Sequence, residues 1–270
     1  MHERVSVNAL CLMGPPLSEM EAMWREIAPK RISFMSNQIL KEGEDAALGI
    51  LARGGYGVET LSHAFHFGAF EPDEASWAEP RANLSRVIKF AKAAKARSIY
   101  MVTGGRGSNS WEEAAEIFSA AIAPGVAEAK AAGVPLLIET APTVYVGTHL
   151  AHNLRDTITL AEMAGIGVCI DISSVWTEVG LRQTIERAMP ICHLVQASDY
   201  VYGDASFPCR AVPGDGNIPL RRICGWLLDA GYKNGFDLEL LGPRIQKEGQ
   251  AKAAARAARY MSVLLEELGA

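Results

Sequence analysis

Along the chain, a short apolar run repeatedly gives way to a stretch in which apolar positions return every three or four residues. The first pattern is that of a buried strand, and the second is that of a helix with one apolar face. The series begins with VSVNALCL then PLSEMEAMWREIA, and RISFMS then ILKEGEDAALGILARGG. It continues with VETLSHAF before the segment through SRVIKFAKAAKA, and SIYMVTGG before SWEEAAEIFSAAIAPGVAEAKAAG. The last four pairs are VPLLIETA with LRDTITLAEMAG, GVCIDISS with LRQTIERAM, ICHLVQASD with LRRICGWLLDAG, and FDLELLG with QAKAAARAARYMSVLLEEL.

The runs VPLLI and GVCI show no polar alternation, as expected of parallel strands covered on both faces. Gly133, Gly165 and Gly231 close helical stretches just before the next run, where a C-cap glycine and a short return belong. Eight alternations in 270 residues predict an α/β protein, a single (β/α)8 TIM barrel over residues 1–270, with an open doubly wound sheet as the alternative. No Gly/Ser/Pro-rich linker or block of charge divides the chain.

Composition narrows the partners. An apolar content of 49% supports a full core, and a net charge of −5 argues against binding a phosphate backbone. No stretch approaches the roughly 18 consecutive apolar residues of a membrane helix. The N-terminal MHERVSVNALCL lacks a basic leader followed by a long apolar stretch. Five widely spaced cysteines with no CxxC pair suit reduced thiols and a cytoplasmic location. Cys169 and Cys192, inside apolar runs, read as small hydrophobes.

Candidate chemistry gathers at the ends of the later runs. Glu139 follows VPLLI, Asp171 follows GVCI, Gln196 follows ICHLV, and Glu239 follows GFDL, at separations of 32, 25 and 43 residues. In a parallel barrel, strand ends of this spacing converge at one mouth. Three acids there repel one another unless a cation or a proton intervenes, which points to a divalent metal, with an ion pair to an arginine as the bland alternative. Three carboxylates and an amide form an all-oxygen set suited to Mg²⁺ or Mn²⁺. His63 and His66 in TLSHAFHFG stand near the end of the third run, so either could face the mouth. His149 and His152 are weaker candidates, and the TGGRG stretch at 103–107 is explained by a turn. Phe65, Phe67, Phe70, Trp176, Tyr200 and Tyr202 fall in loops where they either pack the loop or line a less polar pocket.

The stretch VQASDYVYGDASFPCRAVPGDGNIPL, together with IET, CIDISS and DLELL in this order, resembles the xylose-isomerase-like barrels over roughly residues 134–245. Hydroxypyruvate isomerase and the ketose 3-epimerases are the nearest types. The resemblance implies that Glu139, Asp171, Gln196 and Glu239 are metal ligands, that Glu139 and Glu239 double as acid and base, and that Arg210 anchors a substrate oxygen. It further implies a small-molecule substrate, a sugar or hydroxy-keto compound undergoing isomerisation or epimerisation, and a possible homo-oligomer. The chain departs from the pattern at Ser174, where the family commonly has a substrate-contacting histidine, and at Leu194, with His193 displaced by one. A one-residue shift turns a strand side chain to the opposite face, so His193 is expected away from the site unless a bulge intervenes. Ser174 and Trp176 then stand as candidate substrate contacts. A lyase on the same carboxylates and a non-catalytic binder are the alternatives. Endonuclease IV, which resembles the superfamily too, is disfavoured because its histidines are missing here.

Overall fold

The computed structural model describes residues 1–69 and 71–270; Phe70, expected among the loop aromatics, lies outside the described residues. The eight apolar runs form β1 Val5–Asn8, β2 Arg31–Met35, β3 Gly57–Ala64, β4 Ser98–Val102, β5 Leu136–Glu139, β6 Gly167–Asp171, β7 Cys192–Ala197 and β8 Phe236–Leu238. Every neighbouring pair is parallel, and β8 closes onto β1, so the sheet is a closed barrel and not the open alternative. Closure removes both sheet edges, and the surrounding helices cover the outward face of each strand.

Several runs are longer than the strands they contain because their C-terminal residues turn into the loops of the barrel mouth. In VSVNALCL the strand stops at Asn8, whose side chain accepts from Leu10 N and opens the 3-10 turn Ala9–Leu12. Between strands and helices the core is close-packed; Trp24, Phe34 and Phe90 meet edge to face at 5.5 and 6.1 Å. Among the described residues no helix is long and apolar enough to cross a membrane. The cysteines are free; Cys11, Cys169, Cys192 and Cys224 are buried, and Cys209 is half-buried.

The barrel interior is divided. On one side Tyr100, Leu137, Cys169 and Leu194 form a small apolar cluster. On the other, the carboxylate of Asp237 accepts from Ser6 Oγ at 2.5 Å, Asn8 Nδ2 at 2.7 Å and Ser33 Oγ at 2.8 Å. The register of β6 on β7 slips, pairing Val168 with Cys192 but Cys169 with Leu194. A bulge therefore falls at His193, as a single extra residue on one strand requires. Leu194 fills the interior, and His193 is turned out to solvent at the N-terminal end of its strand.

A candidate metal and acid–base centre

Two-residue periodicity brings the acids together. Leu137, Cys169, Leu194 and Asp237 face the barrel interior, so the residues two further on, Glu139, Asp171, Gln196 and Glu239, face the same way one layer nearer the mouth. All four are buried. Glu139, Asp171 and Glu239 place one carboxylate oxygen each within 4.8 Å of the others, a group that can hold a metal ion.

The three acids are not equivalent. Asp171 Oδ1 accepts from Ser173 N at 3.1 Å and Arg210 NH1 at 2.9 Å, while Oδ2 accepts from Arg210 NH2 at 2.7 Å and from the Ser174 hydroxyl. Four donors fill the roughly four lone-pair positions of one carboxylate. Glu239 Oε2, in contrast, is buried without a partner. Gln196 accepts from Cys169 Sγ at 3.2 Å through its Oε1. Its amide also favours the charged forms of both glutamates, yet Nε2 completes no hydrogen bond. Presenting the carbonyl to the acids takes a half-turn of that amide.

Burial raises the pKa of Glu139 well above the usual carboxylate range, and the charges of Glu239 and Asp171 raise it further against the pull of Arg210. Burial likewise pushes Glu239 up to about 7, with Arg210 opposing and Asp171 and Asp237 adding to the rise. Arg210 is the counter-charge. Burial disfavours its cation, but Asp171, Glu239 and Glu139 outweigh that and hold its pKa above the ordinary value. Three of its N–H bonds are spent, two on Asp171 and one on Ser198 Oγ at 3.1 Å.

The centre opens into a cavity of about 430 Å³ whose lining includes Glu139, Glu239, Arg210, His63 and Tyr100. His63 Nδ1 lies 2.9 Å from Ser36 Oγ, Nε2 is buried without a partner, and burial lowers the imidazole pKa to about 4, so it is neutral near pH 7. His66 stays out of the cavity lining and donates from Nε2 to the Ala69 carbonyl at 3.2 Å. Trp176 is also outside it, packed against Tyr200 and Tyr202 at 6.3 and 6.2 Å. Ser174 reaches Asp171 and not the cavity lining. Phe65 is buried against Phe118, whereas Phe67 lines the cavity.

Two supporting residues, Asp199 and Asp237, escaped the sequence reading, and a third, His149, stood in it only as a weaker candidate. Asp199 accepts from Tyr200 N at 2.8 Å and from Gly214, Gly216 and Ile218 N at 3.0 Å, fixing the loop that carries Arg210. The PGDGNI turn was its signal: a Cβ on Gly216 would stand 2.3 Å from Asp199 Oδ1, so only glycine allows that approach. His149 accepts from Thr103 N at 3.0 Å through Nδ1, which leaves Nε2–H to donate to the Glu139 carbonyl at 2.8 Å. Asp237, two residues before Glu239, went unnoticed because the aspartate of FDLEL has no distinguishing spacing.

Comparison with known proteins agrees with this architecture. No curated protein matches the chain. Among solved structures, protein SMc04130 from Sinorhizobium meliloti 1021 superposes with a TM-score of 0.83 at 23% identity, over 96% of this chain and 97% of that one. The IolI protein, solved with a bound zinc atom, gives 0.81 at 14% identity over 98% of each chain. D-Psicose 3-epimerase with D-tagatose, from Clostridium cellulolyticum H10, gives 0.77 at 14% identity over 96% and 98%. The family model described as Xylose isomerase-like TIM barrel matches residues 26–261, nearly the whole barrel and all four acidic and amide strand ends. Its members are mostly metal-dependent sugar isomerases, epimerases and dehydratases. With its closed ring of eight parallel strands and its acids at their C-terminal ends, the chain belongs to the xylose isomerase-like TIM barrel family.

Proposed function

We propose that the protein is a divalent-metal-dependent isomerase or epimerase of a sugar or hydroxy-keto compound, acting by proton transfer beside a carbonyl. The observation that carries this reading is the pair Glu139 and Glu239, two buried carboxyls with raised pKa that face one cavity beside a third acid. A buried carboxyl whose pKa is raised holds its proton more readily than a free one and can both take and return it. Glu139, Asp171, Glu239 and, after a half-turn of its amide, Gln196 would hold Mg²⁺ or Mn²⁺. The unpartnered Glu239 Oε2 and the mutual crowding of the acids fit a cation there. A bound divalent ion would polarise the substrate carbonyl and acidify the neighbouring C–H.

One glutamate, ionised, removes the proton from carbon. The other, protonated, returns a proton to the adjacent position or opposite face. Arg210 keeps two N–H donors beyond its three bonds, and these suit a substrate oxygen in the cavity. His63 Nε2 offers a neutral polar contact on the facing wall. The reduced thiols and acidic charge balance support a cytoplasmic enzyme of small molecules, without a nucleic-acid partner.

Solvent-deuterium exchange at the carbon beside a ketone tests the reading. In Mn²⁺-treated protein, Glu139→Gln and Glu239→Gln should each lower exchange by at least about 100-fold. Undiminished exchange in both variants would refute it. Release of a substituent in place of exchange would assign the lyase outcome.

A further inference from the structure

His149 stands where the hydrogen-bond ladder between β4 and β5 stops. In that ladder Ile99 lies opposite Leu136, and its N–H donates to the Pro135 carbonyl at 2.9 Å. Parallel bonding repeats every two residues, so Met101 N falls opposite Leu137 O, and the next step would join Thr103 N directly to Glu139 O. The step is not taken. Thr103 N donates to His149 Nδ1 at 3.0 Å, and His149 Nε2 donates to the Glu139 carbonyl at 2.8 Å, so an imidazole is inserted into the missing bond.

The chain on either side of the ring follows the same path. Ala141 N, which one more step would join to Thr103 O, donates to Ala151 O at 3.1 Å, and Gly104 N donates to Thr148 O at 3.0 Å. Leu150 N donates to Thr103 Oγ1 at 3.0 Å. Residues 148–151 thus lie between the ends of β4 and β5, where a ring and two bonds span what one bond spans in paired strands. The parting opens beside Glu139 into the cavity, whose lining includes Val102, Glu139 and Ala141. A backbone N–H only donates, so Nδ1 is the acceptor and Nε2 carries the proton. The ring therefore has no lone pair left for a cation, and its part in the site is separate from ligation.

Glu139 is the last residue of β5, so no further ladder bond to β4 fixes its carbonyl. The imidazole supplies that constraint. The geometry points to His149 as a positioning residue that fixes the peptide plane of Glu139, and with it the reach of the Glu139 carboxyl toward a bound cation and a substrate proton. The role rests on the metal and acid–base reading of Glu139, whereas the insertion of the ring is independent of it.

Two substitutions separate this role from simple support of the loop. His149→Gln carries an amide acceptor and an amide donor that replace both ring nitrogens, whereas His149→Asn is one bond shorter, keeping the bond from Thr103 N but falling short of Glu139 O. Mn²⁺ titration followed by electron paramagnetic resonance should show affinity within about 3-fold of wild type in His149→Gln and at least about 10-fold weaker in His149→Asn, the low end for losing a partner behind a metal ligand. With Mn²⁺ saturating, the maximal rate of deuterium exchange into hydroxyacetone should fall about 10-fold in His149→Asn with KM nearly unchanged, because a displaced base lowers kcat without removing substrate contacts. A His149→Asn protein that binds Mn²⁺ as wild type does, or that fails to fold, would assign His149 to the support of the loop alone. An equal loss of affinity in His149→Gln would overturn the inference as well. Exchange absent from every protein, wild type included, would overturn the isomerase reading, while the Mn²⁺ affinities would still decide whether His149 places Glu139.

Discussion

The barrel buries acids at both ends and treats them in opposite ways. At the N-terminal end, Glu59 accepts from Arg31 Nε at 2.5 Å, Arg97 NH1 at 3.2 Å and Gly235 N at 3.2 Å, so one carboxylate meets two guanidinium groups. At the C-terminal end, three carboxylates share Arg210, and one of their oxygens has no partner. Burying a charge is tolerable when it is paired and hydrogen-bonded. The lower acid therefore serves the fold, whereas the upper cluster keeps a deficit of positive charge that a cation or a proton must fill. Excess burial of like charge at a cavity is the mark of a functional site.

Substituting one acid at each end should separate the two roles. Glu59→Gln leaves Arg31, only 17% exposed at its side chain, without its anion. It should lower the unfolding free energy by about 3 kcal/mol, the low end for breaking a buried pair because Arg97 is half in water. Glu139→Gln removes a repelling carboxylate, so the metal-free protein should lose no stability. Urea unfolding of both variants checks the contrast. Equal destabilisation would mean that the upper acids are structural too.

Acidification sharpens the comparison from the other side. His63 has its pKa lowered by burial from 6.5 to about 4 in the folded chain, so the unfolded chain takes up the proton first. Its contribution is full above about pH 6.5 and is lost as pH falls toward 4, on the order of 3 kcal/mol in total. Glu239, pushed up to about 7, has the opposite sign and loses its contribution as pH rises from 4.5 through 7. The difference between wild type and His63→Gln isolates the histidine, since Glu239 titrates in both. Melting curves at pH 7 and pH 4 should show a smaller loss in the variant. Equal losses would show that His63 is not held neutral by its surroundings.

Much of this arrangement was legible in the sequence because periodicity and strand-end position are local properties. The runs before Glu139, Asp171 and Glu239 announced both buried strands and the direction in which their last side chains point. What stayed hidden depends on which residues meet across the barrel. Nothing near Arg210 indicates that its partner is Asp171, 39 residues away, or that Ser36 would face His63. Trp176 and His66 were reasonable mouth residues by position, but the loops turn Trp176 onto Tyr202 and His66 onto the Ala69 carbonyl. The slip at His193 is equally invisible locally, since a bulge is defined by the neighbouring strand.

Ser174 offers the finest test of the upper cluster. Its hydroxyl is one of four donors on Asp171, so Ser174→Ala should lower the stability of the metal-free protein by only about 1 kcal/mol while the other three remain. If Asp171 gives up that bond when it ligates a cation, the variant destabilises only the metal-free state. By linkage the lost stability then returns as affinity, and Mn²⁺ should bind about 5-fold more tightly. Melting curves and Mn²⁺ titrations of the same preparations measure both quantities, and their signs must be opposite. Reduced stability with unchanged or weaker Mn²⁺ binding would mean that Ser174 still holds Asp171 in the loaded site, where it would orient the ligand and not compete with the ion.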